Sequence, residues 1–383
     1  MTPSLADGPA PLALYVHWPF CAQICPYCDF NVVRDRGREA LKSRLAEAIR
    51  RDIEGHARLT GPRSLVSVFF GGGTPSLLDP AEVAAILASA RAAWAPSADL
   101  EVTLEANPAD ADFRRLEALA AAGVNRLSLG VQSLDDANLR VLGRNHDAAL
   151  ARRAAESART VISRLSLDMI WGLPGQGASE WARDLEAAIA LQPEHVSAYE
   201  LTFEPGTAFD RARERGRMIP PGEDARAELY DLTGAILSGA GFDAYEVSNH
   251  ARGPRARSRH NLVYWRGGDY AGVGPGAHGR LTREGARWAA QAPRGIDAYL
   301  ETVGREGSSA RLERLEPRQA ALERLLMGLR TSEGVPLEDL AALAIEEGQF
   351  QEVGGLAERR NGRLVATADG RRVLDALIAR LAC

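Results

Sequence analysis

Residues 12–30 read LALYVHWPFCAQICPYCDF, and both the fold and the chemistry of the chain turn on them. An apolar run of strand character, residues 12–16, leads directly into Cys21, Cys25 and Cys28, spaced C-x3-C-x2-C. The fourth cysteine, Cys383, ends the chain. A cysteine not packed as a small hydrophobe is retained mainly for reactivity or metal affinity. Three thiols in so tight a loop suit a soft metal centre. Zinc usually wants four ligands, and no second C-x2-C or nearby histidine pair supplies the rest. Disulfides would leave an odd thiol, and no secretory segment implies an oxidising compartment. What fits is a four-iron cluster held by three thiolates, one iron being left open for a small molecule. A zinc knuckle or a disulfide is the bland alternative.

Composition narrows the class. At 383 residues the chain suits a large barrel or sandwich plus a smaller unit. Its 45% hydrophobic content can bury a sizeable core, and 25% charged residues is ordinary for a soluble protein. A net charge of −5 argues against general nucleic-acid binding. Lys42 is the sole lysine while arginine abounds, so any single arginine carries less information than usual. No apolar run approaches the roughly 20 residues that span a bilayer, and the N-terminus has no signal-peptide pattern. A cytoplasmic location is expected, where a reduced cluster survives.

Residues 1–11 read as a flexible Pro/Ala-rich leader. Thereafter apolar strand-like runs alternate with helical periodicity six times over residues 12–205, with a first helix expected at 38–53. This calls for an α/β fold with a parallel sheet and helices outside, the strands being buried on both faces. The cysteines, GGGTP at 71–75, Glu105, Gln132 and Asp168 all fall at or just before strand C-terminal ends. A barrel places its active site on that rim. Six units give a partial (β/α)6 barrel with a lateral mouth. Residues 206–309 read as an irregular extension with a glycine-rich loop at 272–278. Residues 310–383 read as a mostly helical, winged-helix-like domain with a hairpin turning at 361–362, a lid or packing unit more than a DNA reader.

The cysteine spacing, with Tyr27 before the last cysteine, resembles the radical S-adenosylmethionine (SAM) enzymes, which share a six-unit partial barrel. The resemblance implies a [4Fe-4S] cluster on Cys21, Cys25 and Cys28 whose open iron chelates SAM and whose electron splits its sulfonium. It also implies that Gly72, Gly73 and Thr74 hold the SAM amino group. Glu105, Gln132, Arg144 and Asp168, in LEANP, GVQS, LGRNH and LDMIWGLP, look like further SAM contacts, as do Tyr15 and Tyr27. The chemistry suits the roles: carboxylates accept from ribose hydroxyls, and arginine pairs with a carboxylate.

Within that superfamily, YVHWPFC, LEANP, GVQS and DMIWGLPGQ resemble the oxygen-independent coproporphyrinogen III oxidase group. The true decarboxylases carry a further cysteine two residues after the third, where this chain has Phe30, and a longer N-terminal segment. His260-Asn261-Leu262-Val263-Tyr264-Trp265 resembles instead the H-N-x-x-Y-W haem motif of the HemW family of haem chaperones. Imidazole is a common iron ligand, and an aromatic ring packs well on a porphyrin face. The resemblance implies haem contact by His260, Asn261, Tyr264 and Trp265, with Arg257 and Arg259 as candidates for propionates. His17, His250 and His278 are alternative ligands, whereas His56, His146 and His195 read as structural. The expected activity is haem binding and delivery to haem-accepting proteins; the alternative is oxidative decarboxylation of a porphyrinogen. A homodimer and transient membrane association are both compatible with the sequence.

Overall fold

The structure, a computed structural model, describes residues 9–382. Cys383 and most of the leader expected over 1–11 lie outside the described residues, and Pro11 already opens the first strand. Six strands follow one another: β1 (Pro11–Trp18), β2 (Ser64–Gly72), β3 (Ala95–Ala106), β4 (Arg126–Gln132), β5 (Arg164–Trp171) and β6 (His195–Glu200). Each pairs in parallel with the next. Between them run α1 (Glu39–Thr60), α2 (Pro80–Ala93), α3 (Phe113–Ala121), α4 (Asp136–Val141), α5 (Ala148–Val161) and α6 (Ala178–Ala190). Asp79, Asp112, Asp135 and Asp147 cap four of these helices by accepting backbone N–H bonds in the first turn. The partial barrel expected from strand–helix alternation is thus the architecture found.

Its inner face is more polar than near-continuous apolar strands suggest. Alternate residues of a strand share a face. Leu12, Leu14, Val16, Val102, Leu104, Leu127, Leu129, Leu165 and Leu167 form the core under the helices. The intervening positions, Ser67 and Phe69, Glu101, Thr103 and Glu105, Ser128, Ser166 and Asp168, and Ser197, face the interior in register across neighbouring strands. Most of these buried polar groups find a partner inside, Thr103 being an exception. Ser128 donates to Asp168 at 2.8 Å, and Arg164 pairs with Glu101 at 2.7 Å.

The extension is more regular than its composition implied. Strands β7 (Asp243–Ala244) and β8 (Asn249–Ala251) cover the free edge of β6. On the opposite side β9 (Asp269–Val273) lies parallel to β1, and β10 (His278–Arg283), β11 (Ala286–Gln291) and β12 (Arg311–Arg314) continue antiparallel. The result is a 12-stranded sheet ordered β12-β11-β10-β9-β1-β2-β3-β4-β5-β6-β8-β7. The stretch read as a glycine-rich loop is therefore flanked by strand, Gly272 and Val273 closing β9 and His278 opening β10. A Cβ at Gly272 would sit 2.0 Å from the His278 carbonyl oxygen, so glycine there serves a close backbone approach. Residues beyond 316 hold a separate core, including Leu325, Leu340, Leu364 and Leu377, around a three-stranded sheet whose hairpin turns at 361–362. Among the described residues no helix is long and apolar enough to cross a membrane.

Candidate functional site

The chain leaves β1 and enters the cysteine loop under tight backbone control. Phe20–Cys21 pairs in parallel with Val33–Arg34, and the Cys28 N–H donates to the Cys25 carbonyl at 3.1 Å. Cys21 is buried, Cys25 and Cys28 half-buried, and all three are free thiols. Burial pushes the Cys21 thiol up to about 11; the Thr74 hydroxyl works against it, while Cys28 and Cys25 add to it. Cys28 is raised by the same desolvation. The three thiols are therefore within electrostatic reach of one another, and metal binding there must displace protons. Arg144 donates to the Cys25 sulfur at 3.1 Å, to the Tyr27 hydroxyl at 3.4 Å and to the Gly130 carbonyl at 3.1 Å. Among the described residues no group of three His, Cys, Asp or Glu side chains could hold a single metal ion. A four-iron cube takes each thiolate on a different corner, so its ligands stand farther apart than those of one ion. The donor set fits a cluster: three thiols, no carboxylate or imidazole among them, and one cation alongside.

The glycine loop after β2 is locked to the entrance of the cysteine loop. Gly73 N–H donates to the Trp18 carbonyl at 2.7 Å and Thr74 N–H to that of Phe20 at 2.8 Å. A Cβ on Gly73 would lie 2.6 Å from the Phe20 carbonyl oxygen, and Gly72 has a φ of +106° with the His17 ring close behind it. Gly72 N–H donates to Glu105 at 3.1 Å. The glycines thus satisfy packing first, and any ligand role is added to that.

Glu105 and Asp168 bring two carboxyl groups into the barrel. Burial, with Asp168 as the next cause, pushes Glu105 up to about 8, the Gly72 N–H pulling weakly the other way. Asp168 is raised by burial despite hydrogen bonds from Ser128, Ser197 and Ser166. Gln132 closes β4 with a φ of +65°, beside a register shift in the ladder to β5. Tyr15 hydrogen-bonds His17 at 3.0 Å and lies 6.2 Å from the Phe69 ring.

The histidine motif occupies α9 (Arg259–Trp265), after α7 (Ala208–Glu214) and α8 (Glu223–Gly239). Ser258 caps it, and the buried Glu101 carboxylate accepts from the N–H groups of Arg259 and His260 at 3.1 and 3.0 Å. Sequence reading passed over Glu101 as one residue of an apolar strand. His260 is 3% exposed, its Nδ1 3.0 Å from the Ser67 hydroxyl and its Nε2 without a partner. Burial pulls its pKa down to about 3, so the ring is neutral at physiological pH. It stacks on Phe69 and tilts against Tyr264, each at 4.9 Å.

All four motif residues, His260, Asn261, Tyr264 and Trp265, open on one cavity of about 570 Å³ that Tyr15, Gly72 and Glu105 also line. Two residue sets from opposite halves of the sequence thus converge. Gly73, Thr74, Gln132, Asp168, Arg144 and Tyr27 are not among the residues that line it; Arg144 and Tyr27 meet at Cys25 instead. Of the alternative histidines, His17 and His278 line the cavity and the buried His250 does not. His56, His146 and His195 are buried in internal hydrogen bonds. Arg257 lies over Tyr245 and Arg259 pairs with Asp99, so neither faces the cavity. Phe69, Tyr270 and Arg294 line it without having been singled out in the sequence, and Phe30, noted there only as the position where the decarboxylases carry cysteine, lines it as well.

Residues 15–188 match the Radical SAM superfamily. The chain is 44% identical to the mitochondrial radical S-adenosyl methionine domain-containing protein 1 of Bos taurus, covering 89% of this chain and 73% of that protein. It is 37% identical to the heme chaperone HemW of Mycobacterium tuberculosis over 99% and 97% of the two chains, and 40% identical to that of Escherichia coli over 71% of each. Coproporphyrinogen III oxidase of Escherichia coli superposes with a TM-score of 0.81 over 98% of this chain and 90% of its own, at 22% identity, which establishes a shared fold. With the C-x3-C-x2-C loop on a six-unit partial barrel and near full-length identity to those chaperones, the chain belongs to the HemW family of the Radical SAM superfamily.

Proposed function

We propose that the chain is a haem chaperone that binds a [4Fe-4S] cluster, SAM and haem, and delivers the haem to acceptor haemoproteins in the cytosol. The observation that carries the reading is His260: a neutral imidazole with an unpartnered Nε2 on the wall of an aromatic cavity. Neutral imidazole is the iron-ligating form, and Ser67 holds the ring at Nδ1; the Nε2 is itself enclosed, so ligation requires the ring or its aromatic neighbours to shift. Tyr15, Phe69 and Tyr264 supply flat apolar surface for a macrocycle.

Cys21, Cys25 and Cys28 would hold the cluster, which when bound supplies an electron and an open iron site for SAM. Arg144 would stabilise the thiolates beside it. Glu105, Asp168 and Gln132 would take the SAM side of the barrel. An ammonium only donates, so that loop would meet it through oxygen acceptors such as its backbone carbonyls, while the Gly73 and Thr74 N–H groups are already bonded to Trp18 and Phe20. Phe30, where the decarboxylases carry cysteine, favours chaperoning over porphyrinogen oxidation.

Anaerobic titration of the cluster-loaded chain with haem is expected to give saturable binding with a Soret shift that His260→Ala weakens and displaces. The same preparation with coproporphyrinogen, SAM and a reductant is expected to form no protoporphyrinogen. Robust conversion, or an unaltered Soret band in the mutant, would sink the respective half of this reading.

A further inference from the structure

Haem is an apolar disc with two carboxylates on one edge, so a cavity built for it needs a polar end as well as an aromatic one. The ring contacts trace where the wall changes character. From His260 they run through Tyr15, 6.3 Å away, to His17, 5.9 Å further on. His17 in turn feels the charge of His278, and His278 that of Arg294. His278 stands opposite Gln291 in the β10–β11 ladder, and Arg294 follows three residues later.

Other arginines near the cavity are already paired. Arg280 forms a bidentate pair with Glu323 at 2.6 to 3.1 Å, and Arg259 is held by Asp99. Arg294 is the one arginine among the described residues that lines the cavity, and its guanidinium has no carboxylate partner there. Its main chain, by contrast, is fixed. Asn31 donates to the Arg294 and Pro275 carbonyls at 2.9 Å each, and Gly276 N–H donates to the Pro293 carbonyl at 2.9 Å. An unpaired cation on an anchored segment, with an imidazole and an amide beside it, is suited to grip a carboxylate that reaches the mouth.

We propose that Arg294, with His278 and Gln291, forms the carboxylate-recognising end of the cavity, setting the orientation of the tetrapyrrole so that its iron faces His260. This rests on the haem reading above and adds to it a specificity site. The test compares ferric haem with its dimethyl ester, which keeps ring and iron but lacks the anionic edge. Both are titrated into the cluster-loaded wild type, Arg294→Gln and Arg294→Lys. Arg294→Gln is expected to weaken haem binding about tenfold, the size of one charge-assisted hydrogen-bond contact, and to leave the ester within about twofold. Arg294→Lys should fall between, since lysine keeps the charge without the fork. Equal losses for haem and ester, or no loss for haem, overturn the assignment while leaving the haem reading intact. Failure of the wild type to bind haem saturably overturns both. Because Arg294 is exposed, folding of the variants is not at stake.

Discussion

A carboxyl group enclosed by protein at the end of β3 does not behave like one in water. Glu105 has its pKa pushed up to about 8 by burial and by Asp168. The unfolded chain ionises at about 4.3, so this residue's contribution to stability declines as pH rises from there to about 8 and is constant beyond. A sulfonium ligand favours the ionised form. SAM affinity is therefore expected to strengthen as pH rises through 8 in wild type and to follow a flatter profile in Glu105→Gln, read by calorimetry on both sides of that value. Parallel profiles would remove Glu105 from contact with the ligand. His56 shows the opposite case. Burial opposes the charge of both groups, but Asp52 at 3.2 Å raises the His56 pKa, and His56 with Ser309 lowers that of Asp52. The pair stabilises fully between roughly pH 4 and 6.5, and fades as pH rises through the elevated His56 value or falls through the depressed Asp52 value. His56→Ala is expected to cost about 3 kcal/mol by denaturant unfolding at pH near 6, the cost shrinking at alkaline pH.

At the scale of elements, α9 illustrates how a short helix is placed by groups outside itself. Seven residues are too few to hold a helix by propensity alone. Glu101 offers a buried charge to its first N–H groups and is neutralised by Arg164 at 2.7 Å, which also pairs with Glu194. Glu101→Gln leaves Arg164 short of a partner and is expected to lower stability by about 3 kcal/mol. It should also shift the Soret band of bound haem, which a purely global loss would not move. The same network explains what could be read from sequence and what could not. The cysteine loop, GGGTP, Glu105 and Asp168 announced themselves by falling at the ends of apolar runs, because a barrel rim imposes that pattern. Glu101, Ser67 and Ser128 did not. Each lies inside a strand, and one polar residue among Leu and Val looks incidental until the register puts it opposite its partner. The strand β9 was hidden by its glycine, which disfavours strands on average and here permits two backbones to meet. The end of α1 was hidden too: the helix runs on past the expected end at 53 to Thr60, carrying His56, whose polarity interrupts the apolar period while its bond to Asp52 keeps it inside.

At the scale of the molecule, several contacts hold the C-terminal unit to the rest of the chain, Arg266–Glu333 and Arg372–Asp231 among them, and two others are unlike in kind. On the β8 side the fully buried Glu246 pairs with Arg330 at 2.6 Å and accepts from Ser248 and Asn249, while Val247 N–H donates to the Arg330 carbonyl. That contact leaves no charge uncompensated and acts as an anchor. Near the cavity the unit is held by Arg324, which donates to the Trp265 carbonyl at 3.0 Å, and by the half-exposed Arg280–Glu323 pair. Met327, from the same helix as Glu323 and Arg324 (Pro317–Gly328), lines the cavity itself. A partly solvated bidentate pair contributes on the order of 1 kcal/mol, a modest hold on the helix that borders the cavity. Glu323→Gln is therefore expected to leave the unfolding midpoint nearly unchanged and to raise the rate of haem loss to an apo-haemoprotein trap about fivefold, the kinetic equivalent of about 1 kcal/mol. Glu246→Gln should instead lower the unfolding midpoint, because it strips the counter-charge from a buried anchor. If stopped-flow transfer from the Glu323 variant runs at the wild-type rate, the C-terminal helix packs beside the cavity without governing its exit.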